Sequence, residues 1–253
     1  MARKSAKPSS ATKAVRRILS IDIGGTGIKA ALVGRDGQIL GNHVRIKTPD
    51  HCAPKKMVTT LTELVKEFRN YDRVSIGFPG YVRNGKVFTA PHLGTGQWAG
   101  FQLAAAMRKK LGKPVRLNND ADVQGLGVIR GVGLELVCTL GTGLGTAWFR
   151  NGELMPHMDL AHMATHHKHD FDLYIGDKTL KKIGRKTWCK RVKKLIAVLE
   201  KVFFYDHLYL GGGNSRFVTF RLPPHVSVVS NDAGLEGGAF VWVSKAKNKQ
   251  PEN

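Results

Sequence analysis

Two glycine-rich segments of the chain repeat one pattern, and this duplication constrains the fold more than any other feature. Residues 19–33 read as an apolar strand, a Gly-Gly-Thr-Gly turn and a second apolar strand, and residues 136–149 repeat the order around Gly-Thr-Gly-Leu-Gly. An Asp-Gly pair follows the first copy and an Asn-Gly pair follows the second, and both pairs are typical of tight hairpin turns. Strands followed by helices, occurring twice, predict a duplicated α/β fold with a cleft between two lobes.

Composition shifts and periodicity suggest the boundaries within this duplicated fold. Residues 1–17 carry six basic residues and no acid, so we expect a disordered basic tail; a cleaved presequence is the less favoured alternative. Residues 18–118 form the predicted N-terminal lobe and residues 119–232 the C-terminal lobe. Residues 233–253 are predicted as a last helix, ending near residue 245, and a tail. That helix either stays with the second lobe or returns to the first.

Net charge is the unusual quantity in the composition. The 253 residues include 40 Lys and Arg against 19 Asp and Glu, which gives a formal net charge of +21 and a pI near 10.1. A field of this sign attracts polyanions, among them nucleic acid, an anionic membrane or inorganic polyphosphate. Charge alone does not choose among these partners.

The cysteines and the apolar runs indicate the cellular compartment of the protein. The chain has three cysteines, Cys52, Cys138 and Cys189, without a Cys-x-x-Cys spacing, so neither a disulfide framework nor a cysteine zinc site is indicated. No apolar run approaches the roughly 18–20 residues of a membrane span. We therefore expect a cytoplasmic protein that does not bind membranes.

The densest positive charge lies at residues 178–204, where the spacing of apolar residues predicts one helix. A run of charges is usually a solvated helix face. Here the excess has a single sign, which favours a site for a polyanion. The residues predicted to form this basic surface are Lys182, Arg185, Lys186, Lys190 and Arg191.

The two glycine turns suit a chain of phosphate groups. Glycine lets several backbone N–H groups approach one anion. Asp22 ends a strand just before the first turn, where a carboxylate could hold Mg²⁺ or could merely cap the strand. The second turn resembles a dinucleotide fingerprint, but a strand follows it where that fingerprint needs a helix. Two such turns facing each other across a cleft therefore predict a phosphotransferase.

Two further junctions carry polar or glycine residues. Asn118-Asn119-Asp120 lies between a predicted strand and a predicted helix, where one residue would serve as a cap. Transfer of a phosphoryl group to a hydroxyl needs a carboxylate close to that hydroxyl, and we expect Asp120 to be this base. The glycines at 211–213 follow another strand, and we predict that they open a helix at a nucleotide or phosphate site.

Together these segments resemble the repressor, open reading frame, kinase (ROK) family, which are actin-like (ribonuclease H-like) sugar kinases with two lobes. The resemblance spans about residues 18–243, and within the family the polyphosphate glucokinases are the most similar. The segments that carry it are DIGGTGIK (22–29), GFPGYV (77–82), TAPHLGTGQWAGF (89–101), NNDADVQGLG (118–127), TLGTGLGT (139–146), DHLYLGGGN (206–214) and NDAGLEGGAF (231–240).

The resemblance implies a kinase that phosphorylates glucose or a similar hexose at the 6-hydroxyl, using inorganic polyphosphate, ATP or both with Mg²⁺. It also implies a homodimer. Asp120 would be the base and Asp22 the Mg²⁺ ligand. The implied sugar-binding residues are Gly80, His92, Leu93, Asn119, Asp120, Asp159 and His162. The implied phosphate- or nucleotide-binding residues are Gly24, Gly25, Thr26, Lys29, Thr142, Gly143, Gly211, Gly212, Gly213 and Asn214.

Three departures from the family pattern leave an alternative open. His92 stands where members usually have Asn, and Asp159 stands where they usually have Glu. A histidine-rich loop at 163–172 replaces the Lys/Arg-rich loop of the polyphosphate branch, and neutral histidine attracts a polyanion less strongly. A non-catalytic sensor of sugar or phosphate is therefore the second hypothesis.

Two further interpretations are less favoured. The histidines of this region could form a metal site, although their spacing matches no firm ligand pattern. A nucleic-acid-associated protein is the third hypothesis, since the family includes repressors. Because seventeen residues before the first strand leave no room for a helix-turn-helix domain, we expect no specific binding to nucleic acid. The histidines considered are His157, His162, His166, His167 and His169.

Overall fold

The structure is a computed structural model that describes residues 17–165 and 169–243. Almost all of the predicted basic tail, His166 and His167, and the end of the predicted last helix lie outside the described residues. Within them the chain forms two five-stranded sheets and one small hairpin.

The first sheet has three antiparallel strands on one side and parallel strands on the other, in the order β3-β2-β1-β4-β7. Its central strands are buried almost throughout, as their runs of Ile, Leu and Val require. Helices α1 and α3 lie in contact beside this sheet. The elements are β1 (Ile18–Ile23), β2 (Gly27–Val33), β3 (Val44–Lys47), α1 (Pro54–Val65), β4 (Arg73–Phe78), β5 (Val82–Arg83), β6 (Lys86–Val87), α2 (Thr95–Trp98), α3 (Leu103–Leu111) and β7 (Val115–Asn119).

The second sheet repeats this arrangement. Its order is β10-β9-β8-β11-β12, so each five-stranded sheet, with its own strands counted in chain order, places the third, second, first, fourth and fifth side by side. This repetition is the duplication that the glycine-rich segments predicted. The elements are α4 (Asp120–Leu126), β8 (Leu134–Leu140), β9 (Leu144–Arg150), β10 (Glu153–Leu154), α5 (Phe171–Ile175), α6 (Asp177–Phe203), β11 (His207–Gly211), β12 (Val226–Val228) and α7 (Ala233–Glu236), with 3₁₀ turns at Leu160–His162, Ser215–Phe217 and Gly237–Trp242.

Each sheet has its own apolar core, and a third cluster joins them around α4. The first core includes Trp98 and the second includes Trp188, both fully buried. In the third cluster Ala121 and Val123 of α4 pack with Phe149 of β9. Helix α4 therefore begins in the connection between the two sheets and contacts both.

Three elements differ from the sequence-based expectation. The basic helix α6 contains a kink at Gly184, where φ is +75°. The triple glycine does not open an α-helix, because only the short 3₁₀ turn at Ser215–Phe217 follows it, so that prediction was wrong. The predicted last helix is a single α-helical turn, α7, continued by a 3₁₀ segment.

The last described residues contact the first sheet as well as α4. Ala239 packs with Ile18 and Val33 of that sheet, and the Ser75 hydroxyl donates a hydrogen bond to the Gly238 carbonyl at 2.5 Å. Among the described residues, no helix combines the length and the apolar character that crossing a bilayer requires.

Candidate active site

A cleft of about 530 Å³ lies between the two halves of the chain. Both glycine turns line it, together with the first residue of α4 and the first turn of α6. Because the duplicated topology gives each sheet the same turn after its first strand, the two turns meet in this one cleft.

The tips of the two glycine turns are in contact. A Cβ atom built on Gly25 would lie only 2.6 Å from the Thr142 hydroxyl oxygen, so the first tip can approach the second only because residue 25 is glycine. The Thr48 hydroxyl holds the first turn by donating to the Gly24 carbonyl at 2.7 Å. The Asn214 amide holds the second by donating to the Gly141 carbonyl at 3.1 Å.

At the junction between β7 and α4, one side chain caps the helix and the next one faces the cleft. Asn119 caps α4, since its side-chain oxygen accepts hydrogen bonds from the N–H groups of Ala121 and Asp122 at 2.8 and 3.2 Å. Its amide nitrogen donates to the Gly80 carbonyl at 3.1 Å. With Asn119 in the capping role, the next carboxylate, that of Asp120, faces the cleft.

The acid–base properties of Asp120 follow from its surroundings. Burial raises the pKa of its carboxyl group to about 7, and the negative charges of Asp22 and Asp122 act in the same direction. A hydrogen bond from the Ala121 N–H, at 2.9 Å, and the charge of His157 oppose this rise in pKa. A carboxyl group with a pKa near 7 can both hold and release a proton at neutral pH, as a general base must.

Asp22 lies at the end of β1, and its carboxylate is suited to be a ligand of Mg²⁺. Burial raises the pKa of its carboxyl group, and the positive charge of Lys29 works against that rise. A Cβ atom built on Gly234 would lie 3.0 Å from a carboxylate oxygen of Asp22, so glycine keeps one side of this carboxylate open. No group of three metal-ligating side chains occurs within residues 17–165 and 169–243, and magnesium needs none, since it takes one or two carboxylates plus waters and phosphates.

A buried histidine–aspartate pair lies beside Asp120. His157 Nδ1 and Asp122 Oδ1 are 3.4 Å apart, and each side chain is only 8% exposed. Burial lowers the pKa of His157, but the hydrogen bond and charge of Asp122 outweigh it, so the pKa is raised overall. The imidazole also stacks on Tyr81, with ring centroids 5.7 Å apart. From the sequence, His157 was considered only as part of a less favoured metal site. Its partner Asp122 lies 35 positions away along the chain, so no local pattern could have shown the pair.

The sugar-binding residues predicted from the resemblance fall into two groups. Gly80, His92, Asn119, Asp120, Asp159 and His162 all line the cleft, and their contacts with a sugar stay a prediction. The side chain of Leu93 is 3% exposed and packs in the first core, so it was wrongly predicted to contact the sugar.

Asp159 precedes the 3₁₀ turn Leu160–His162, His162 ends it, and both residues line the cleft. A carboxylate oxygen of Asp159 accepts a hydrogen bond from the Ala161 N–H at 3.2 Å and so caps this turn. His162 is 63% exposed, with a ring nitrogen 3.7 Å from Asp159 and the other 3.7 Å from Asp170. The metal interpretation of the histidines gains no support from the described residues.

The predicted phosphate-binding residues line the cleft with one exception. Gly211 is buried against Gln124 and does not reach the cleft, because the strand β11 still includes it. Lys29 reaches the cleft but also donates to the Asn231 carbonyl at 2.7 Å. The residues that line the cleft as predicted are Gly24, Gly25, Thr26, Lys29, Thr142, Gly143, Gly212, Gly213 and Asn214.

None of the five predicted basic-surface residues of α6 lines the cleft. Arg191 has a packing role, since its guanidinium donates to the Tyr174 carbonyl at 2.9 Å and stacks on that ring. The other four, Lys182, Arg185, Lys186 and Lys190, are exposed. The basic residues that do line the cleft, besides Lys29, are Arg45, Lys181 and Arg216, which the sequence analysis did not select.

The two-lobe fold, the opposed glycine turns and the carboxylates between them define an actin-like kinase. The model of the ROK family matches residues 18–171, more than half of the chain, and the chain belongs to the ROK family. The resemblance proposed from the motifs is thereby confirmed.

The most informative relatives are kinases of glucose. Polyphosphate glucokinase of Mycobacterium tuberculosis (strain H37Rv) is 29% identical, over 90% of this chain and 92% of the relative. Polyphosphate glucokinase of Mycobacterium leprae (strain TN) is 30% identical, over 90% of this chain and 75% of the relative. Both cover nearly the whole chain, so the similarity extends across both lobes.

Solved structures give the same fold. The inorganic polyphosphate/ATP-glucomannokinase of Arthrobacter sp. strain KM superposes with a TM-score of 0.83 at 27% identity, covering 90% of this chain and 98% of that one. The ROK family glucokinase of Streptomyces griseus, in complex with glucose and AMPPNP, gives a TM-score of 0.73 at 20% identity, covering 89% and 98%. The actin-like two-lobe fold is thereby confirmed.

Proposed function

We propose that this protein is a kinase that transfers a phosphoryl group from inorganic polyphosphate or ATP to the 6-hydroxyl of glucose or a similar hexose. The observation that carries the proposal is the cleft in which two touching glycine turns and the Asp120 carboxylate meet. The polyphosphate glucokinases that match nearly the whole chain support the same activity.

Asp120 would act on the acceptor. Its ionised carboxylate takes the proton of the sugar hydroxyl as the hydroxyl oxygen forms its bond to the terminal phosphorus of the donor. The bond from that phosphorus to the bridging oxygen breaks, and the shortened donor leaves with the electron pair. General-base assistance of this kind is worth about 10²–10⁴-fold in rate. The Asn119 cap fixes the start of α4 and thereby the position of this carboxylate.

The glycine turns would hold the donor. Their backbone N–H groups can be directed at phosphate oxygens without rearranging during the reaction, which is the main source of acceleration in phosphoryl transfer. Asp22, beside the first turn, would hold Mg²⁺. When bound, Mg²⁺ offsets negative charge on the donor phosphates. We also propose a homodimer, as the family resemblance implies, and a cytoplasmic location, which the three cysteines without a Cys-x-x-Cys spacing favour.

A non-catalytic sensor remains the second candidate. It is favoured by His92 and Asp159, which replace the usual Asn and Glu and both line the cleft. The carboxylate of Asp159 already caps its own turn through the Ala161 N–H. An assay of the purified protein with Mg²⁺, glucose and either polyphosphate or ATP separates the two candidates. Formation of glucose 6-phosphate supports the kinase, and its absence with both donors supports the sensor.

The variant Asp120→Asn tests the proposed base. We expect kcat to fall at least about 100-fold with either donor, because an amide cannot accept the hydroxyl proton. The fold should persist, since asparagine retains the oxygen that accepts the Ala121 N–H. Asp50→Asn is the matched control, because it changes an exposed carboxylate that pairs with Lys47 at 3.1 Å. It should leave kcat unchanged. Undiminished turnover by Asp120→Asn would remove Asp120 from the mechanism.

A further inference from the structure

Two arginines from different elements stack on one aromatic ring at the edge of the cleft. Arg216 belongs to the 3₁₀ turn after the triple glycine, and its guanidinium carbon lies 4.7 Å from the centroid of the Phe217 ring. Arg185 of α6 lies 4.5 Å from the same centroid. Arg216 lines the cleft and Arg185 does not, so Phe217 joins the cleft to the outer surface of α6.

Hydrogen bonds hold the turn that carries this ring. The Phe217 carbonyl accepts a hydrogen bond from the Cys189 thiol of α6 at 3.0 Å, which ties the turn to the helix. The Ser215 hydroxyl donates to the Gly212 carbonyl at 2.9 Å. On the helix side, the kink at Gly184 directly precedes Arg185. The ring on which the two guanidinium groups stack therefore belongs to a turn that is hydrogen-bonded to α6.

The two guanidinium groups keep their charge available. Within residues 17–165 and 169–243, no carboxylate lies within ion-pairing distance of Arg185 or Arg216. The neighbouring Lys181 differs, because it pairs with Asp177 at 2.6 Å. No acidic residue occurs from Lys178 to Leu199, so the outer surface beyond Arg185 stays positive.

Stacked guanidinium groups suit a ligand with many phosphates. Stacking on an aromatic face restricts the side chain in advance and leaves the planar N–H edge free for phosphate oxygens. Because Arg216 follows the glycines that line the donor side, a donor longer than the cleft would meet Arg216 first and Arg185 next. A nucleotide carries no further phosphates to occupy the second group.

We propose that Arg216, Phe217 and Arg185 form an exit path for the part of an inorganic polyphosphate chain that extends beyond the cleft. The proposal rests on the proposed function and specifies how the donor is held. Under this proposal Arg185 and Arg216 determine how strongly the enzyme prefers long donors. The reacting phosphates remain at the glycine turns.

The test compares three donors with four proteins. Wild type, Arg185→Ala, Arg216→Ala and the double variant are assayed for glucose phosphorylation with long-chain polyphosphate, tripolyphosphate and ATP. We expect the KM for long-chain polyphosphate to rise about threefold in each single variant and about tenfold in the double variant, as for partly exposed charge contacts. For Arg185→Ala, whose side chain lies outside the cleft, the KM values for tripolyphosphate and ATP and kcat with every donor should stay unchanged. Because Arg216 lines the cleft, Arg216→Ala should raise the KM for long-chain polyphosphate by a larger factor than the KM for tripolyphosphate or ATP.

Lys201→Ala is the matched control, because it removes one exposed charge from the same helix about 24 Å from Arg185. It should leave all KM values unchanged. Equal increases in KM for all three donors, or an equal increase with Lys201→Ala, would overturn the exit path.

A competition experiment separates polyphosphate from polyanions in general. Single-stranded DNA is added as a competitor at matched phosphate concentration. Weak inhibition that does not depend on the two arginines supports the proposal; strong inhibition that both alanine variants relieve would indicate a nucleic-acid surface and overturn it. Failure of the wild type to phosphorylate glucose with any donor would refute the proposed function, whereas normal turnover with unchanged KM in the variants refutes the exit path alone.

Discussion

Asp120 must be ionised to accept a proton, and its surroundings oppose that ionisation. Burial and the charges of Asp22 and Asp122 favour the neutral carboxyl group, while the Ala121 N–H and His157 favour the carboxylate. The resulting pKa of about 7 makes Asp120 a stronger base than an exposed aspartate, whose pKa is about 3.9. The same shift requires that catalysis be lost in acid.

We expect kcat/KM for glucose to rise with pH through about pH 7, because only the ionised form of Asp120 can take the hydroxyl proton. Below that pH the value should fall tenfold for each pH unit. Initial rates from about pH 5.5 to about pH 8.5, at saturating donor, measure the profile. Melting temperatures at each pH serve as the control for unfolding, and a profile that is flat between about pH 5.5 and about pH 7 would contradict the assignment.

The sequence predicted those site residues whose neighbours along the chain already determine their position. Asp22 is the penultimate residue of β1 and Asp120 directly follows β7, so their arrival at the cleft follows from the topology. Leu93 was predicted by correspondence with a motif, and the apolar side chain instead packs in the core. The pairing of His157 with Asp122 arises only when α4 packs against the second sheet, so it could not be predicted from local sequence.

The two glycine hairpins act as one unit because their tips touch. The Gly25 backbone lies so close to Thr142 that a side chain at residue 25 would force the Thr142 side chain or one of the tips to move. Displacement by about 1 Å of groups that position a substrate can cost up to 100-fold in rate. Residue 25 is therefore a position at which the geometry of the proposed donor site is sensitive to a small change.

Gly25→Ala should lower kcat/KM at least about tenfold with either donor, because its Cβ would lie 2.6 Å from the Thr142 hydroxyl oxygen and force the tips apart. Steady-state kinetics with polyphosphate and ATP measure the effect. Gly96→Ala is the matched control, since a Cβ at Gly96 meets no atom within 4 Å. Adding Thr142→Ala should restore part of the loss relative to Thr142→Ala alone. Full activity of Gly25→Ala would show that the tips need not touch.

Glycine could be recognised in the sequence, but its structural role depends on what surrounds it. The glycines at 211–213 were expected to start a helix, yet the turn folds back onto the end of β8, where the Asn214 N–H donates to the Leu140 carbonyl at 2.9 Å. Gly184 lay inside a helical pattern and instead has a φ of +75°. At the triple glycine a tertiary contact outweighs the local propensity, whereas Gly184 is exposed and its kink reflects the freedom of glycine to adopt a positive φ.

The last described segment contacts both halves of the molecule. The α7 turn brings Gly234 against the Asp22 carboxylate, and Gly237 lies against the Val123 carbonyl of α4. Beyond it, the Trp242 ring lies 4.9 Å from the guanidinium of Arg73 and 4.5 Å from that of Arg116. Its indole N–H donates to the Ser75 hydroxyl at 2.8 Å. Trp242 thus anchors, on the first sheet, the segment that borders the proposed magnesium ligand Asp22 and the helix α4.

Trp242→Ala should lower the free energy of unfolding by about 2–3 kcal/mol, less than the roughly 3–5 kcal/mol of a fully buried aromatic residue because the ring is partly exposed. Denaturant unfolding measures the change in midpoint at constant slope. Val243→Ala, at the neighbouring position and 67% exposed, is the control and should change stability little. Since the anchored segment borders Asp22 and α4, we also expect Trp242→Ala to lower kcat under conditions where the protein remains folded. An unchanged unfolding midpoint would mean that the contacts of Gly234 and Gly237 hold the segment in place without Trp242.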